Sequence, residues 1–431
     1  MDLLLCLGLL LGAAHLIGLL FARLRQPRVV GEIVGGLLVG VSGLASLWPG
    51  LALPPAPAWE GVVARACEEA GLLLLMFISG AGMRGLIAPG EGRAVAWLAT
   101  SGTALPFAAA VAVAARLPLE ALRGPAESPA ALVLVLGVAA AVTSIPVISR
   151  IFFDLDLLHT RFARLVLGVA VVEDVALWAV LALATALAGA AALPPSPGAA
   201  ALPPSAGAAA HLLSHLLSTL VFLLVGLLAA RPLQRLERWA RNPLPSRLPV
   251  VWLALVGLLY WGAAWLAGVK PVFAAFFAGL AVEGQGASIA AALGALRRIC
   301  LAVPVPLYFA LVGYHLDLGA SFSWPIVLAL LLGASAVKLA AVGLGARMAG
   351  FRGWDALNLA VATNARGGPG IVLASVAREA GIVNERGYTA LVLLALVTSQ
   401  AAGAWIERVV RSGRPLLCAG SGEGQPLARE R

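Results

Sequence analysis

Residues 165–184 read LVLGVAVVEDVALWAVLALA. A helix needs about 20 apolar residues to cross the hydrocarbon layer of a bilayer. This stretch has that length, yet Glu173 and Asp174 stand side by side near its centre. A carboxylate at that depth costs about 2.5–3.5 kcal/mol on insertion scales. Two expectations follow. The segment is a spanning helix packed among other spans, and its acidic pair marks a working site at mid-depth.

The rest of the chain agrees with a membrane setting. Of its 431 residues, 61% are hydrophobic and only 12% are charged, and the mean hydropathy is +0.95. A soluble domain carries about 25% charged residues. Apolar runs of spanning length recur from end to end, whereas the short alternating segments of a β-barrel are absent. The expected class is therefore an all-α polytopic membrane protein. The net charge of +9 comes almost wholly from arginine, with Lys270 and Lys338 the only lysines. In such a chain basic charge marks cytoplasmic loops, and no nucleic-acid module is visible. Cys6, Cys67, Cys300 and Cys418 are isolated, with no spacing for a metal site or a disulfide framework. The N-terminal run lacks a basic leader and is too long for a signal peptide, so it reads as the first span.

Thirteen spans are expected, near 2–22, 29–47, 66–86, 94–116, 129–152, 161–189, 211–230, 248–267, 269–286, 299–317, 323–347, 355–377 and 388–409. An odd count puts the termini on opposite sides. With the N-terminus outside and the C-terminus in the cytoplasm, 22 arginines fall inside and five outside, with Arg366 within a span. That asymmetry fixes the orientation. Trp48, Trp59 and Trp324 are expected in the aromatic belts. Glu32, Asp154, Asp156, Glu283, Glu68, Glu69 and Asp317 are expected mostly at span ends. His15, His211, His215 and His315 have no ligand-like spacing.

The loop AALPPSPGAAALPPSAGAAA, 191–210, is uncharged and proline-rich and reads as a flexible linker. It separates six spans from seven. The last six are expected to repeat the first six in inverted orientation, with the seventh as a bridge. Two irregular spans occupy matching places. The fifth contains AAVTSIPVISRIF, with Pro146 behind Thr143 and Ser144, and the twelfth contains ATNARGGPGIVLA, with Gly367, Gly368, Pro369 and Gly370. Proline removes an amide donor and clashes with the preceding turn, and glycine permits unwinding. A helix broken in mid-membrane survives only where it is buried or lines a cavity, and paired breaks point to a transport site.

Four ionisable residues lie deep in apolar sequence: Glu173, Asp174, Lys338 and Arg366. At about 3 kcal/mol each their gross cost is on the order of 10 kcal/mol, so mutual compensation is expected. Carboxylates are hard oxygen ligands for small cations and also bind protons. One carboxylate can hold either, but not both well, and that competition is the simplest exchange chemistry. Neighbours on a helix project about 100° apart, so one acid can face the ion while the other meets a partner such as Lys338. Freed carbonyls at the break and the Thr143 and Ser144 hydroxyls are candidates to complete the shell. The competing reading is a buried Glu–Lys pair and a capped aspartate that serve packing alone. Arg366 is expected to compensate carbonyls and half-helix dipole ends at its break.

In order along the chain, VVGEIVGGLLVG, LLLLMFISGAGM, the 143–178 stretch, PVFAAFFAGLAV, PLYFALVGYHLDL and NARGGPGIVLASVAREAGIVNERGYTALVLLALVTS resemble the landmarks of the monovalent cation:proton antiporter superfamily. The resemblance covers about residues 1–411 and is nearest to the bacterial cation:proton antiporter-2 type. It implies a sodium/proton antiporter-like fold: about 13 transmembrane helices, two inverted six-helix repeats and two crossed broken helices. It implies that Asp174 carries the ion and the proton and is the metal ligand, that Glu173 holds the preceding acidic position, and that Lys338 is its basic partner. Thr143 and Ser144 match the first helix break, and Asn364 to Gly370, with Arg366, the second. It also implies dimerisation-side helices over 1–90 and 248–320, core helices over 91–190 and 321–411, a linker, bridging helix and basic loop over 191–247, and a short cytoplasmic tail over 412–431.

Two departures stand out. Glutamate replaces the commoner aspartate at 173, and Ser144 is not acidic where some relatives place an aspartate. A tail of about twenty residues leaves no room for the nucleotide-binding domain of Kef-type relatives, so such gating is not expected. The expected function is exchange of Na⁺ or K⁺ for H⁺ by an elevator-like homodimer in the bacterial inner membrane, with no cofactor and no nucleic-acid partner. The alternative is a proton-coupled transporter of an organic solute, against which stands the shortage of midplane aromatics. An intramembrane aspartyl protease needs two acids on different helices, and here the acids adjoin on one.

Overall fold

The computed structural model describes residues 3–24, 26–40, 62–82, 91–116, 119–157, 160–192, 204–239, 244–282 and 286–418. The described residues form helices and no strand, with a single isolated bridge between Arg123 and Val383. In chain order the helices are α1 (Leu3–Arg23), α2 (Arg28–Val39), α3 (Val62–Gly82), α4 (Gly92–Ala114), α5 (Pro129–Ala141), α6 (Ile145–Asp154), α7 (Arg161–Ala192), α8 (Pro204–Arg238) and α9 (Leu244–Arg247). They continue as α10 (Pro249–Ala267), α11 (Pro271–Ala281), α12 (Ala287–Ala302), α13 (Pro304–Tyr314), α14 (Leu318–Ser321), α15 (Trp324–Met348), α16 (Trp354–Thr363), α17 (Gly367–Glu379) and α18 (Glu385–Arg411). Among the described residues, eight helical segments are long and apolar enough to cross a membrane.

Local sequence explains where these helices begin and end. Proline opens α5, α10, α11, α13 and α15, where its missing N–H would have no partner anyway. The Ser128 hydroxyl caps α5 by accepting the Ala131 N–H at 3.4 Å. Asn384 caps α18 by accepting the Gly387 N–H at 3.0 Å. Gly268, at φ +67°, closes α10 in the left-handed conformation that glycine adopts without strain.

The expected spans need three adjustments. The seventh runs from Pro204 to Arg238 rather than 211–230, because its alanines, leucines and arginines are good helix formers on both sides. Helix therefore occupies 191–192 and 204–210 of the expected linker, and 193–203 lie outside the described residues. The ninth is the eleven-residue α11, shorter than 269–286. The tenth begins at Ala287 and is interrupted at Val303, since Pro304 cannot donate back into α12. Residues 41–47 of the second span, Trp48, Trp59, Glu283 and the tail beyond 418 lie outside the described residues.

Two sets of helices pack mainly among themselves. One holds α1, α2, α3, α10, α11, α12 and α13; the other holds α4 to α7 with α15 to α18, and α8 lies against α7, α10 and α11. The first set is drawn tight by glycines. A Cβ on Gly36 would strike the Ala310 carbonyl, and one on Gly313 the Ile33 carbonyl, between α2 and α13. The same reciprocal arrangement recurs between α3 and α11, where Gly80 meets the Phe276 carbonyl and Gly279 that of Phe77. In the second set α5 is buried along most of its length, and every residue of α17 from Gly367 to Ala377 is buried. Broken helices are thus enclosed by protein rather than exposed to lipid, as their free backbone groups require.

Candidate functional site

The two interrupted helices meet at their breaks. Val142 turns extended after α5, at φ −66° and ψ 142°, and the chain resumes helix at Ile145 ahead of Pro146. The second break runs over Asn364–Arg366, before the Gly367-Gly368-Pro369-Gly370 run. The Ser144 N–H donates to the Ala365 carbonyl at 2.6 Å, and the Thr143 hydroxyl donates to the Thr363 carbonyl at 2.5 Å. Ser144 Oγ accepts the Val147 N–H at 3.4 Å and so caps α6. Gly367 sits at φ +32°, and a Cβ there would lie 2.6 Å from Ser144 Oγ. No other residue lets the breaks approach so closely. The Thr143 hydroxyl and the Ser144 N–H thus stitch the breaks together, while the Ser144 hydroxyl serves its own helix.

Helix α7 carries Glu173 and Asp174 into this region, at 0% and 1% exposure. Lys338 reaches them from α15 and is itself wholly buried. Its ammonium donates to Glu173 Oε1 at 2.7 Å, to the Gly102 carbonyl at 2.9 Å and to the Ala141 carbonyl. An ammonium has three donors and no acceptor, so Lys338 is fully satisfied. Gly102 makes this possible: a Cβ on it would lie 3.0 Å from Glu173 Oε1 and 2.9 Å from Val342 Cγ2. By contrast Glu173 Oε2 and both carboxylate oxygens of Asp174 are buried with no hydrogen-bond partner. A buried carboxylate in that condition is stabilised by a proton or by a cation, and by little else.

Arg366 faces the opposite requirement and meets it differently. Its Nε donates to the Ala139 carbonyl at 2.7 Å, Nη1 to Asn364 O at 3.1 Å and Oδ1 at 2.7 Å, and Nη2 to the carbonyls of Ala140 at 3.0 Å and Ala334 at 3.1 Å. The five acceptors are four carbonyls and one amide oxygen, none a carboxylate. Carbonyls released by the breaks are gathered on one guanidinium, whose rigid fork suits several acceptors at once. Asn364 also donates to Ser335 Oγ at 3.2 Å.

The candidate residues Glu173, Asp174, Lys338, Thr143, Ser144, Asn364 and Arg366 therefore share one neighbourhood. Sequence reasoning missed four contributors. Gly102 and Ala141 act through backbone carbonyls, which leave no mark in residue type. Thr398 and Ser399 of α18 accept the N–H groups of Arg366, at 3.4 Å, and Gly367, at 2.8 Å; their only signal is a polar pair inside an apolar helix. Other polar residues lie elsewhere. Glu32, near the start of α2, is buried at 4% exposure and paired with Arg28 at 3.1 Å. Asp317 caps α14 through the Gly319 and Ala320 N–H groups. Glu68 and Glu69 line a cavity of about 250 Å³ with Arg65, His315, Arg378 and Glu379. Among the described residues, no three histidine, cysteine or acidic side chains converge as a resident metal site would need.

Comparison with known proteins gives this site its context. The chain is 29% identical over 406 residues to cation/H⁺ antiporter 20 of Arabidopsis thaliana, covering 91% of this chain and 46% of that protein. It spans about half the length of the plant relatives it matches. It is 26% identical over 395 residues to the Na⁺/H⁺ antiporter NhaS4 of Synechocystis, covering 90% of this chain and 92% of that one. Its fold is similar to that of the sodium proton antiporter MjNhaP1 from Methanocaldococcus jannaschii, with a TM-score of 0.65 at 16% identity over 95% of this chain and 98% of that chain. The family described as sodium/hydrogen exchanger, transmembrane, matches residues 10–412, and the chain belongs to that family.

Proposed function

We propose that this chain exchanges Na⁺ or K⁺ for H⁺, with cation and proton competing for the carboxylate of Asp174. The observation that carries the reading is the buried Asp174 carboxylate without a hydrogen-bond partner, beside a Glu173–Lys338 ion pair and two opposed helix breaks. Glu173 Oε2 is likewise buried without a partner, on the carboxylate that Lys338 holds through Oε1. Lys338 neutralises Glu173 and leaves Asp174 as the group whose charge is supplied from outside. Arg366 and Asn364 hold the second break open as a rigid wall, and Thr143 and Ser144 do the same for the first. The chain acts as a transporter and not as an enzyme, since its paired acids adjoin on one helix and their cationic partner stands opposite.

The finer architecture belongs to the same reading. Thirteen spans form two inverted six-span repeats around a bridging α8. The reciprocal glycine contacts between α2 and α13 and between α3 and α11 support this, because an inverted repeat turns one pair into the other. The packing of the helices in two sets supports a scaffold built from 1–90 and 248–320 and a moving core built from 91–190 and 321–411, joined by 191–247 and followed by a tail over 412–431. The core shifts against the scaffold to expose Asp174 to each side in turn. The scaffold forms a homodimer in the bacterial inner membrane, N-terminus outside and C-terminus in the cytoplasm, as the arginine asymmetry favours.

The test is proton movement in proteoliposomes challenged with Na⁺, K⁺ and Li⁺ in turn. Cation-dependent proton flux by the wild type names the ion. A wild type that moves no protons with any of the three overturns the reading and turns attention to an organic solute.

A further inference from the structure

The two breaks are followed by helices of opposite character. The helix after the first broken span, α7, presents two carboxylates, whereas the helix after the second, α18, presents Thr398 and Ser399. Both hydroxyls are buried, at 1% and 0% exposure. Each donates back into its own helix, Thr398 to Leu394 O and Ser399 to Ala395 O, both at 2.7 Å. Each hydroxyl oxygen is then free to accept. Ser399 Oγ takes the Gly367 N–H at 2.8 Å, and Thr398 Oγ1 takes the Arg366 N–H at 3.4 Å.

These two amides open α17. The first N–H groups of any helix have no partner within it, and where a side-chain cap forms, the residue just before the helix normally supplies it. Here that preceding residue is Arg366, whose side chain has no acceptor and is committed to five carbonyl and amide oxygens. The cap is therefore supplied in trans by α18. A carboxylate would cap equally well, but it would also neutralise Arg366 and add a titrating group at the crossing. A hydroxyl caps without charge.

We propose that Ser399, assisted by Thr398, is a positioning residue of the exchange site. It fixes the start of α17, and with it Gly367 against Ser144, so that the two breaks stay in register beside Asp174. This rests on the exchange reading above and assigns that site a support it otherwise lacks. Its effect passes through the Gly367 N–H to the Ser144–Ala365 contact at 2.6 Å, and so to the geometry in which Asp174 meets its cation.

The experiment compares wild type, Ser399→Ala and Ser399→Thr in proteoliposomes, with activity normalised to folded protein. Cation KM, kcat and the pH midpoint of exchange are measured separately. The expected result is a rise of about tenfold in cation KM and a displaced pH midpoint for Ser399→Ala, the size of one lost buried hydrogen bond. Ser399→Thr, which keeps the hydroxyl, recovers most of the loss. A purely structural role lowers the yield of folded protein and leaves KM and midpoint at wild-type values, which overturns the proposal. Should Ser399→Ala not fold, Thr398→Val carries the same test through the weaker contact, with about a threefold rise expected; an unchanged KM there also overturns it. A wild type with no cation-dependent flux removes the exchange reading and this proposal together, whereas an active wild type with an indifferent Ser399→Ala removes the proposal alone.

Discussion

The two helix breaks satisfy their freed backbone groups in different ways, the first with cations and the second with neutral hydroxyls. At the first, the carbonyls of Ala139, Ala140 and Ala141 are taken up by cations that arrive from other helices, Arg366 and Lys338. At the second, the amides of Arg366 and Gly367 are taken up by neutral hydroxyls. Around the first break stand two carboxylates; around the second stands one guanidinium with no carboxylate among its partners. Two three-residue interruptions thus divide the labour. The second is locked by saturated hydrogen bonding, and the first is left with one acid, Asp174, whose partner comes from solution.

That division can be broken at several points, and the effects should rank in order. Asp174→Asn should reduce cation-dependent proton flux by about a hundredfold or more while leaving the protein folded, since it replaces an unpartnered buried charge with a neutral isostere. Flux and thermal unfolding measured on the same preparation check this. Lys338→Ala should destabilise by about 3–5 kcal/mol, because it strands Glu173 as an uncompensated buried charge. Glu173→Gln in the same chain should return part of that loss. Thermal unfolding of the two single variants and the double variant checks the coupling, and strict additivity would refute the pair.

Smaller effects sharpen the contrast. Arg366→Lys keeps the charge but replaces a five-donor fork with a three-donor ammonium. It should cost about 2–3 kcal/mol through orphaned carbonyls, read as a lower unfolding midpoint. Gly102→Ala brings a methyl against Glu173 Oε1 and Val342 and should cost about 1–3 kcal/mol. Gly343→Ala, on the same α15 as Lys338 and with nothing within 4 Å of the added carbon, should be neutral or stabilising by up to about 1 kcal/mol. Equal unfolding midpoints for these last two variants would show that the Lys338–Glu173 pair tolerates crowding and that Gly102 has no special place.

Much of this was legible in the sequence because charge is conspicuous in apolar surroundings. Glu173, Asp174, Lys338 and Arg366 stood out by residue type alone, and Pro146 with the Gly367–Gly370 run located both breaks. The Glu173–Lys338 contact was legible as a need for compensation, since each charge alone would be too costly. The remainder was hidden for physical reasons. Carbonyls belong to every residue, so Gly102 and Ala141 carried no sign that they hold Lys338. Ser399 and Thr398 read as ordinary helix hydroxyls bonded to their own backbone, and only the fold brings α18 against the start of α17. Span limits such as Ala287 and Pro204 were missed because alanine-rich helix continues past the apolar stretch without a change of composition.

The central claim is that cation and proton compete for Asp174. Its most direct test is proton release from purified protein in weakly buffered detergent solution on addition of Na⁺ or K⁺. The account predicts that the wild type releases protons with a saturating dependence on one of these cations, and that Asp174→Asn releases none. Release from Asp174→Asn equal to that of the wild type would contradict it.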